Sequence, residues 1–193
     1  MSDRSKFDLY FSALSFKFIF MIMIFTGNGK GKTTAALGQA IRALGQNKKA
    51  VVIQFIKGPW ISGEDYFVKN SAVKNLKIIK TGKGFVKIAG DKLPFSEHRK
   101  AAKNGLILAE KMIKKKNDLI ILDEVNNAVD LKLISANDVL KILNNLPGEK
   151  DVILTGRNAP KSFIRKADLV TEMKEIKHPF QKDKHSMKKG IEY

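Results

Sequence analysis

Phe25-Thr26-Gly27-Asn28-Gly29-Lys30-Gly31-Lys32-Thr33-Thr34 follows the apolar run Met21-Ile22-Met23-Ile24 and leads into Ala35-Ala36-Leu37-Gly38-Gln39-Ala40-Ile41. A buried strand, a Gly-rich turn and a helix opening on Lys-Thr make a phosphate cradle. Backbone N–H groups and the helix N-terminus face an anion, the Lys adds a point charge, and the Thr hydroxyl can hold Mg²⁺. The strict spacing G-x-x-x-x-G-K-[ST] needs its first glycine at position 26, where Thr26 stands; Gly27 and Gly29 serve instead. The stretch is therefore a variant P-loop. An ordinary Gly-rich turn with exposed lysines would not call for the strand before it and the helix after it.

Composition bounds what surrounds this loop. The chain has 193 residues, 44% hydrophobic and 28% charged, which suits one globular α/β domain with a sizeable core. Its formal net charge is +17, and 31 of the 36 basic residues are Lys. Arg is the residue of bidentate base and phosphate readout, whereas scattered Lys mostly solvates a surface, so nucleic acid is not the expected partner. With no cysteine there are no disulfides, thiolate nucleophiles or Cys-ligated metals, and His98, His178 and His185 stand too far apart for a zinc site.

The N-terminal 20 residues pose the main question of organisation. Residues 7–25 are strongly apolar, interrupted by Lys17, and behind Asp3-Arg4-Ser5-Lys6 they superficially resemble a signal peptide or membrane anchor. The run flows directly into the strand that feeds the P-loop, however, and is only marginally long for a span. The expected reading is an N-terminal extension over residues 1–20, either an over-long start or an added helix, before a single domain over 21–193. Met21 and Met23 are the alternative starts.

The rest of the chain alternates apolar runs with helical periodicity. A helix from Thr33 is expected to turn Leu37, Ala40, Ile41 and Leu44 inward. Strands are expected at Ala50–Phe55, Leu76–Ile79, Leu119–Leu122, Asp151–Thr155 and Leu169–Met173. Lys57 to Glu64 and the long Thr81–Pro94 stretch carrying Phe85 read as loops. Ser96 and Ser135 are expected to cap helices, the first with Ala102, Leu106, Ala109 and Ile113 inward and ending in Lys114-Lys115-Lys116. The second turns Val139, Ile142, Leu143 and Leu146 inward and stops at Pro147-Gly148. Continuous apolar strands are what a parallel sheet buried under helices on both faces requires. The fold class is thus α/β, a P-loop NTPase-like (RecA-like), mostly parallel sheet in a single domain.

Two further sites follow from that class. An apolar strand closed by Asp123-Glu124, well after a P-loop, supplies the carboxylate that holds Mg²⁺ through water, with Thr33 as its other protein partner and Glu124 beside the phosphates. Gly156-Arg157-Asn158-Ala159-Pro160 follows a strand at the sheet edge where ligands collect, which makes Arg157 either a ligand contact or a surface ion pair.

In this order the words of the sequence resemble one family, the corrinoid adenosyltransferases of the cob(I)yrinic acid a,c-diamide type. The matching words are Thr26 to Thr34, Gln54-Phe55-Ile56-Lys57-Gly58 with Trp60, Ile121-Leu122-Asp123-Glu124 and Thr155-Gly156-Arg157-Asn158-Ala159-Pro160. They continue with Ala167-Asp168-Leu169-Val170-Thr171-Glu172-Met173, Lys177-His178-Pro179-Phe180 and Lys189-Gly190-Ile191-Glu192-Tyr193. The off-pattern P-loop is itself the family's form.

The resemblance implies a cytoplasmic homodimer in which a cobalt(I) corrinoid attacks C5′ of ATP and expels triphosphate. ATP would be bound by Gly27, Asn28, Gly29, Lys30, Gly31, Lys32, Thr33 and Thr34, with Arg157 as a further contact, and Mg²⁺ (or Mn²⁺) by Thr33 and Asp123. Since cobalt is the nucleophile, no Ser, Cys or His need act; Lys32 neutralises the leaving triphosphate, and Glu124 binds rather than activating water. Phe85 and Trp60 are the implied corrinoid contacts. A one-electron reductant, such as an acidic flavoprotein, is the implied partner, and the basic surface would steer it. ATP lies reversed in the family's P-loop, presenting C5′ to the corrinoid.

Two departures bear on the corrinoid side. The family usually has Gly-Phe-x-Trp in the loop that covers the corrinoid, but here the words are Gly84-Phe85-Val86-Lys87, and the tail from Gln181 to Lys188 differs from the usual sequence. The competing expectation is a P-loop ATPase acting on nucleic acid, with Asp123-Glu124 serving hydrolysis; a phosphoryl-transferring kinase finds no recognisable acceptor site.

Overall fold

The apolar runs become six strands, and every strand pairs in parallel. They are β1 (Ile22–Thr26), β2 (Ala50–Gln54), β3 (Leu76–Lys80), β4 (Leu119–Asp123), β5 (Asp151–Thr155) and β6 (Leu169–Glu172). They lie in the order β3-β2-β4-β5-β1-β6, as expected for the P-loop NTPase-like class. The computed structural model describes residues 20–88, 90–178 and 188–191. The expected extension thus lies, but for Phe20, outside the described residues, as do most of the tail and the words Pro179-Phe180 and Glu192-Tyr193.

Successive side chains along a strand point to opposite faces, so β1 to β5 feed two cores, while the edge strand β6 is exposed along its length. Ile22, Ile24, Val51, Ile53, Ile120, Leu122, Val152 and Leu154 belong to one. Met23, Phe25, Val52, Ile121 and Ile153 belong to the other. The helices covering them are α1 (Lys32–Gly45), α2 (Gly63–Asn70), α3 (Phe95–Ile113), α4 (Val125–Asp130), α5 (Ala136–Asn144) and α6 (Lys161–Lys166). Ala102, Leu106, Ala109 and Ile113 of α3, with Val139, Ile142 and Leu143 of α5, fill the first core as their periodicity requires, and Leu146 packs against it. Ala36 and Ala40 of α1 fill the second.

Three local expectations are corrected. Ile41 is 61% exposed rather than inward. The stripe that α1 buries is Lys32, Ala36 and Ala40, four residues apart, and a residue one step past Ala40 is turned about 100° away from it. Helix α3 begins at Phe95 behind Pro94, whose carbonyl accepts the Glu97 N–H at 2.9 Å, so Ser96 lies within the first turn instead of capping it. Glu64 is helical, because Ser62 and Asp65 close a capping box that starts α2 at Gly63. Helices α4 and α6, six residues each, are too short to show apolar periodicity, whereas α2 carries the Ser-x-x-Asp signal that announces it. Ser135 does cap α5, accepting the Asp138 N–H at 3.1 Å.

The N-terminal ends of the strands are tied by carboxylates. Asp151 Oδ1 accepts the Met21 N–H at 3.0 Å and Asp168 Oδ2 accepts the Ile22 N–H at 2.7 Å. The opposite, C-terminal ends bring the P-loop, Gln54, Asp123 and Thr155 side by side. Among the described residues no helix is long and apolar enough to cross a membrane.

Candidate active site

The cradle is shaped by the end of β6 as much as by its own glycines. Gly29 N–H donates to the Met173 carbonyl at 2.7 Å, and Met173 N–H donates to the Thr26 carbonyl at 2.8 Å. Gly27 has φ 97°, and a Cβ built there would lie 2.4 Å from the Met173 carbonyl oxygen, so both backbone conformation and close approach demand glycine. Gly31, at φ 106°, turns the chain into α1, whose first residue is Lys32. The buried Lys32 ammonium donates to the Gly29 carbonyl at 2.6 Å. Burial lowers its pKa against the opposing pull of Glu124, and Arg157 lowers it further.

A chain of polar side chains joins this loop to the neighbouring strands. Thr33 Oγ1 donates to Asp123 Oδ1 at 2.8 Å, and Thr155 Oγ1 donates to the same oxygen at 2.7 Å. On the other side of the fully buried Asp123, Gln54 Nε2 donates to Oδ2 at 3.1 Å and shares its second contact with Glu64 at 3.3 Å. Lys57 Nζ pairs with Glu64 at 2.5 Å and stands 4.0 Å from Asp123 Oδ2. Burial works against the charged form of Lys57, but Asp123 and Glu64 together hold its pKa above the ordinary value. Glu64 is likewise desolvated, yet the Lys57 hydrogen bond holds its carboxyl below the usual range.

Glu124 differs from its neighbours. It adopts φ 63° between β4 and α4, with its N–H donated to Thr155 Oγ1 at 2.9 Å. Burial first, then the adjacent Asp123 charge, push its carboxyl up to about 7, against the pull of Lys32, Lys57 and Arg157. Arg157 is exposed; its backbone N–H is donated to Asn127 Oδ1, while its guanidinium is near enough to act on both Lys32 and Glu124.

Beyond β2 and β3 lies an aromatic surface. Trp60 and Phe85 stack at 5.4 Å between ring centroids with the rings tilted by 41°, and both are largely exposed. Gly84, at φ 101°, leaves room for this pair: a Cβ there would lie 2.6 Å from the Trp60 ring. Lys80, the last residue of β3, holds the loop that carries Trp60 by donating to the Trp60 carbonyl and pairing with Asp65. Lys87, at the position of the family's Trp, is exposed and sets its ammonium 4.1 Å above the Phe95 ring.

The structure therefore gathers Lys32, Thr33, Asp123 and Glu124 at one edge of the sheet, with Arg157 beside them, and pairs Phe85 with Trp60. Asn28, Lys30 and Thr34 sit on the exposed side of the loop, where Thr34 Oγ1 donates to the Gly31 carbonyl at 3.0 Å. Sequence reasoning passed over Glu64, Thr155, Gln54 and Lys57 as site residues. Thr155 and Gln54 end strands beside Asp123 and carry polar side chains that a wholly apolar strand would not need, which was the available signal.

A divalent cation of the Mg²⁺ kind fits this donor set. Among the described residues no group of three or more His, Asp or Glu is placed to hold a metal by itself. Mg²⁺, however, takes one or two protein oxygens and completes its octahedron with phosphates and water. Thr33 Oγ1 and Asp123 Oδ1 are two such hard oxygens, already held together by β4 and the start of α1.

A parallel six-stranded sheet with a Gly-rich strand-to-helix loop, Lys32 and Thr33 at the helix start and a buried Asp at the end of a nearby strand defines a P-loop NTPase-like α/β protein. More narrowly, the chain belongs to the ATP:corrinoid adenosyltransferase family BtuR/CobO/CobP, whose family model matches residues 20–193. It is similar to the corrinoid adenosyltransferase of Escherichia coli K12, at 35% identity over 161 residues, covering 83% of this chain and 79% of that one. It is also similar to the corrinoid adenosyltransferase CobA of Salmonella typhimurium LT2, at 34% over 165 residues with the same coverages. The Pseudomonas aeruginosa corrinoid adenosyltransferase is 33% identical over 173 residues, covering 90% of this chain and 83% of the relative. The enzyme class expected from the resemblance is thereby established, and nothing in these comparisons favours a nucleic-acid ATPase.

Proposed function

We propose that this enzyme transfers the 5′-deoxyadenosyl group of ATP to the cobalt(I) of a corrinoid, either cob(I)yrinic acid a,c-diamide or cob(I)alamin, and releases triphosphate. The observation that carries the reading is the juxtaposition of Lys32, Thr33 and Asp123 in a glycine cradle at the same sheet edge from which the Trp60–Phe85 pair projects. One side suits a polyphosphate, the other a flat macrocycle. In the reaction the cobalt electron pair forms the Co–C5′ bond while the C5′–O bond breaks and its electrons leave with triphosphate.

The protein's residues have two tasks in this scheme. The first is to hold the triphosphate: loop N–H groups and the Lys32 ammonium bind its oxygens, and they stabilise the charge that grows as the C5′–O bond breaks. Thr33 and Asp123 would hold Mg²⁺, which supplies further neutralisation of the phosphates when bound. Glu124 and Arg157 act as binding groups at the rim. The second task is to place C5′ against cobalt with water excluded, and Phe85 and Trp60 provide an apolar face for it. The same reading includes a homodimer working in the cytoplasm. It also includes an acidic one-electron reductant, such as a flavoprotein, drawn by the +17 charge of the chain.

Incubating the protein with ATP, Mg²⁺ and a chemically reduced corrinoid tests the proposal. Triphosphate and a light-sensitive cobalt–carbon product are expected in equal amounts; phosphate release that needs no corrinoid would overturn it in favour of a hydrolase. Running cob(I)yrinic acid a,c-diamide against cob(I)alamin ranks the two substrates by kcat/KM.

A further inference from the structure

One carboxylate gathers the Thr81–Pro94 loop. Asp91 accepts the Lys87 N–H through Oδ2 at 2.8 Å and the Leu93 N–H through Oδ1 at 3.0 Å. The same Oδ1 lies 3.0 Å from His98 Nε2 in the first turns of α3. These two backbone bonds, followed by the His98 contact, hold the Asp91 carboxyl below its ordinary pKa. His98 is 2% exposed, and the adenosyl transfer has no use for it as an acid, base or nucleophile. A buried histidine satisfied by a nearby carboxylate is usually only a core feature. Here that carboxylate is also the hub of a loop, and the loop carries Phe85.

The connection runs residue by residue. The bond from Asp91 fixes Lys87 at φ 55°, a left-handed conformation unfavourable for a side-chain-bearing residue, two positions after Phe85. Val86 between them is buried in the main core, and Gly84 before them packs against the Trp60 ring. Phe85 is thus held between two anchored neighbours and presented against Trp60 rather than swinging freely.

We infer that Asp91 and His98 are positioning residues for the corrinoid half of the reaction: their hydrogen bond latches the loop to α3 and so sets Phe85 against Trp60. The inference rests on the reading of this loop as the corrinoid cover. Without the latch the loop samples other conformations, and the substrate must supply the ordering that the protein otherwise provides in advance.

The test uses the full chain and the variants Asp91→Ala, His98→Leu and His98→Gln, the last keeping an N–H donor for Asp91. Loop order is read without corrinoid by limited trypsin digestion, mapping cleavage after Lys83, Lys87 and Lys92. Losing a hydrogen bond to a charged group is expected to speed cleavage at these sites roughly tenfold in Asp91→Ala and His98→Leu, with sites elsewhere unchanged. The same two variants should raise the KM for reduced corrinoid by roughly tenfold and leave the KM for ATP unaltered, and His98→Gln should restore both readouts. Wild-type cleavage in Asp91→Ala, cleavage rising equally along the whole chain, or looser loops with an unchanged corrinoid KM would each overturn the inference. A wild-type protein that adenosylates no corrinoid would instead overturn the proposed function, and the digestion arm, run without substrate, keeps the two failures apart.

Discussion

Thr33 and Asp123, ninety positions apart in the chain, are joined by a 2.8 Å hydrogen bond from the Thr33 hydroxyl to Asp123 Oδ1. This bond ties the first turn of α1 to the end of β4, and the buried Asp123 is satisfied further by Thr155 on the same oxygen and by Gln54 on Oδ2.

Lys32→Ala and Thr33→Ala are expected to abolish adenosyl transfer without unfolding the protein, since Asp123 keeps its Thr155 and Gln54 partners in both. Each loses a charge-assisted or metal-linked contact to triphosphate worth about 2 to 3 kcal/mol, roughly 30-fold or more in ATP affinity. Calorimetric titration with ATP and Mg²⁺ checks this, and near-normal binding by both variants would remove the P-loop from the site.

The Glu124 carboxyl is pushed up to about 7 from an ordinary 4.5, so the folded protein retains a proton that the unfolded chain releases. The associated stability is present below the unfolded pKa and is lost as pH rises through about 7. Thermal melts of the nucleotide-free protein should therefore fall more steeply from about pH 5 to about pH 8 in the wild type than in Glu124→Gln. Parallel melting curves for the two proteins across that range would contradict the assignment.

Phe85→Ala is expected to lower turnover from cobalt(II) corrinoid sharply while sparing turnover from chemically prepared cobalt(I). The resemblance implies that apolar aromatic groups displace an axial ligand of cobalt(II) and ease its reduction, and Phe85 is an exposed aromatic of this loop. Lys87→Ala should be mild in both assays, because it gives up only the contact over Phe95, worth about 0.5 to 1 kcal/mol at an exposed site. Equal losses for Phe85→Ala with both oxidation states would reduce Phe85 to a shaper of the pocket.

A chain beginning at Met21 should fold and bind ATP as the full chain does. Among the described residues, the contacts of β1 begin with Met21, through its N–H to Asp151 and its carbonyl to the Val152 N–H, and the strand pairing starts at Ile22. Circular dichroism and ATP titration of the shortened chain decide it, an insoluble product being the adverse result.

Strand-length apolar runs, the Gly-x-Gly-x-Gly-Lys-Thr turn and the Asp after Leu122 were enough to read six strands of a mostly parallel sheet, the cradle and its carboxylate from sequence, because each is a local pattern. Periodicity of 2 or 3.6 and the steric freedom of glycine act within a few residues. The same locality explains the misreading of Ile41: a helix stripe can be drawn several ways, and only the packing of α1 on the sheet selects the small side chains Ala36 and Ala40. What the tertiary structure alone decided are the meetings of distant residues: Met173 over Gly29, Gln54 and Thr155 around Asp123, Lys57 with Glu64, and Asp91 with His98. Such contacts are set by strand order and by where each loop lands after its helix, and neither is written in the residues that finally touch.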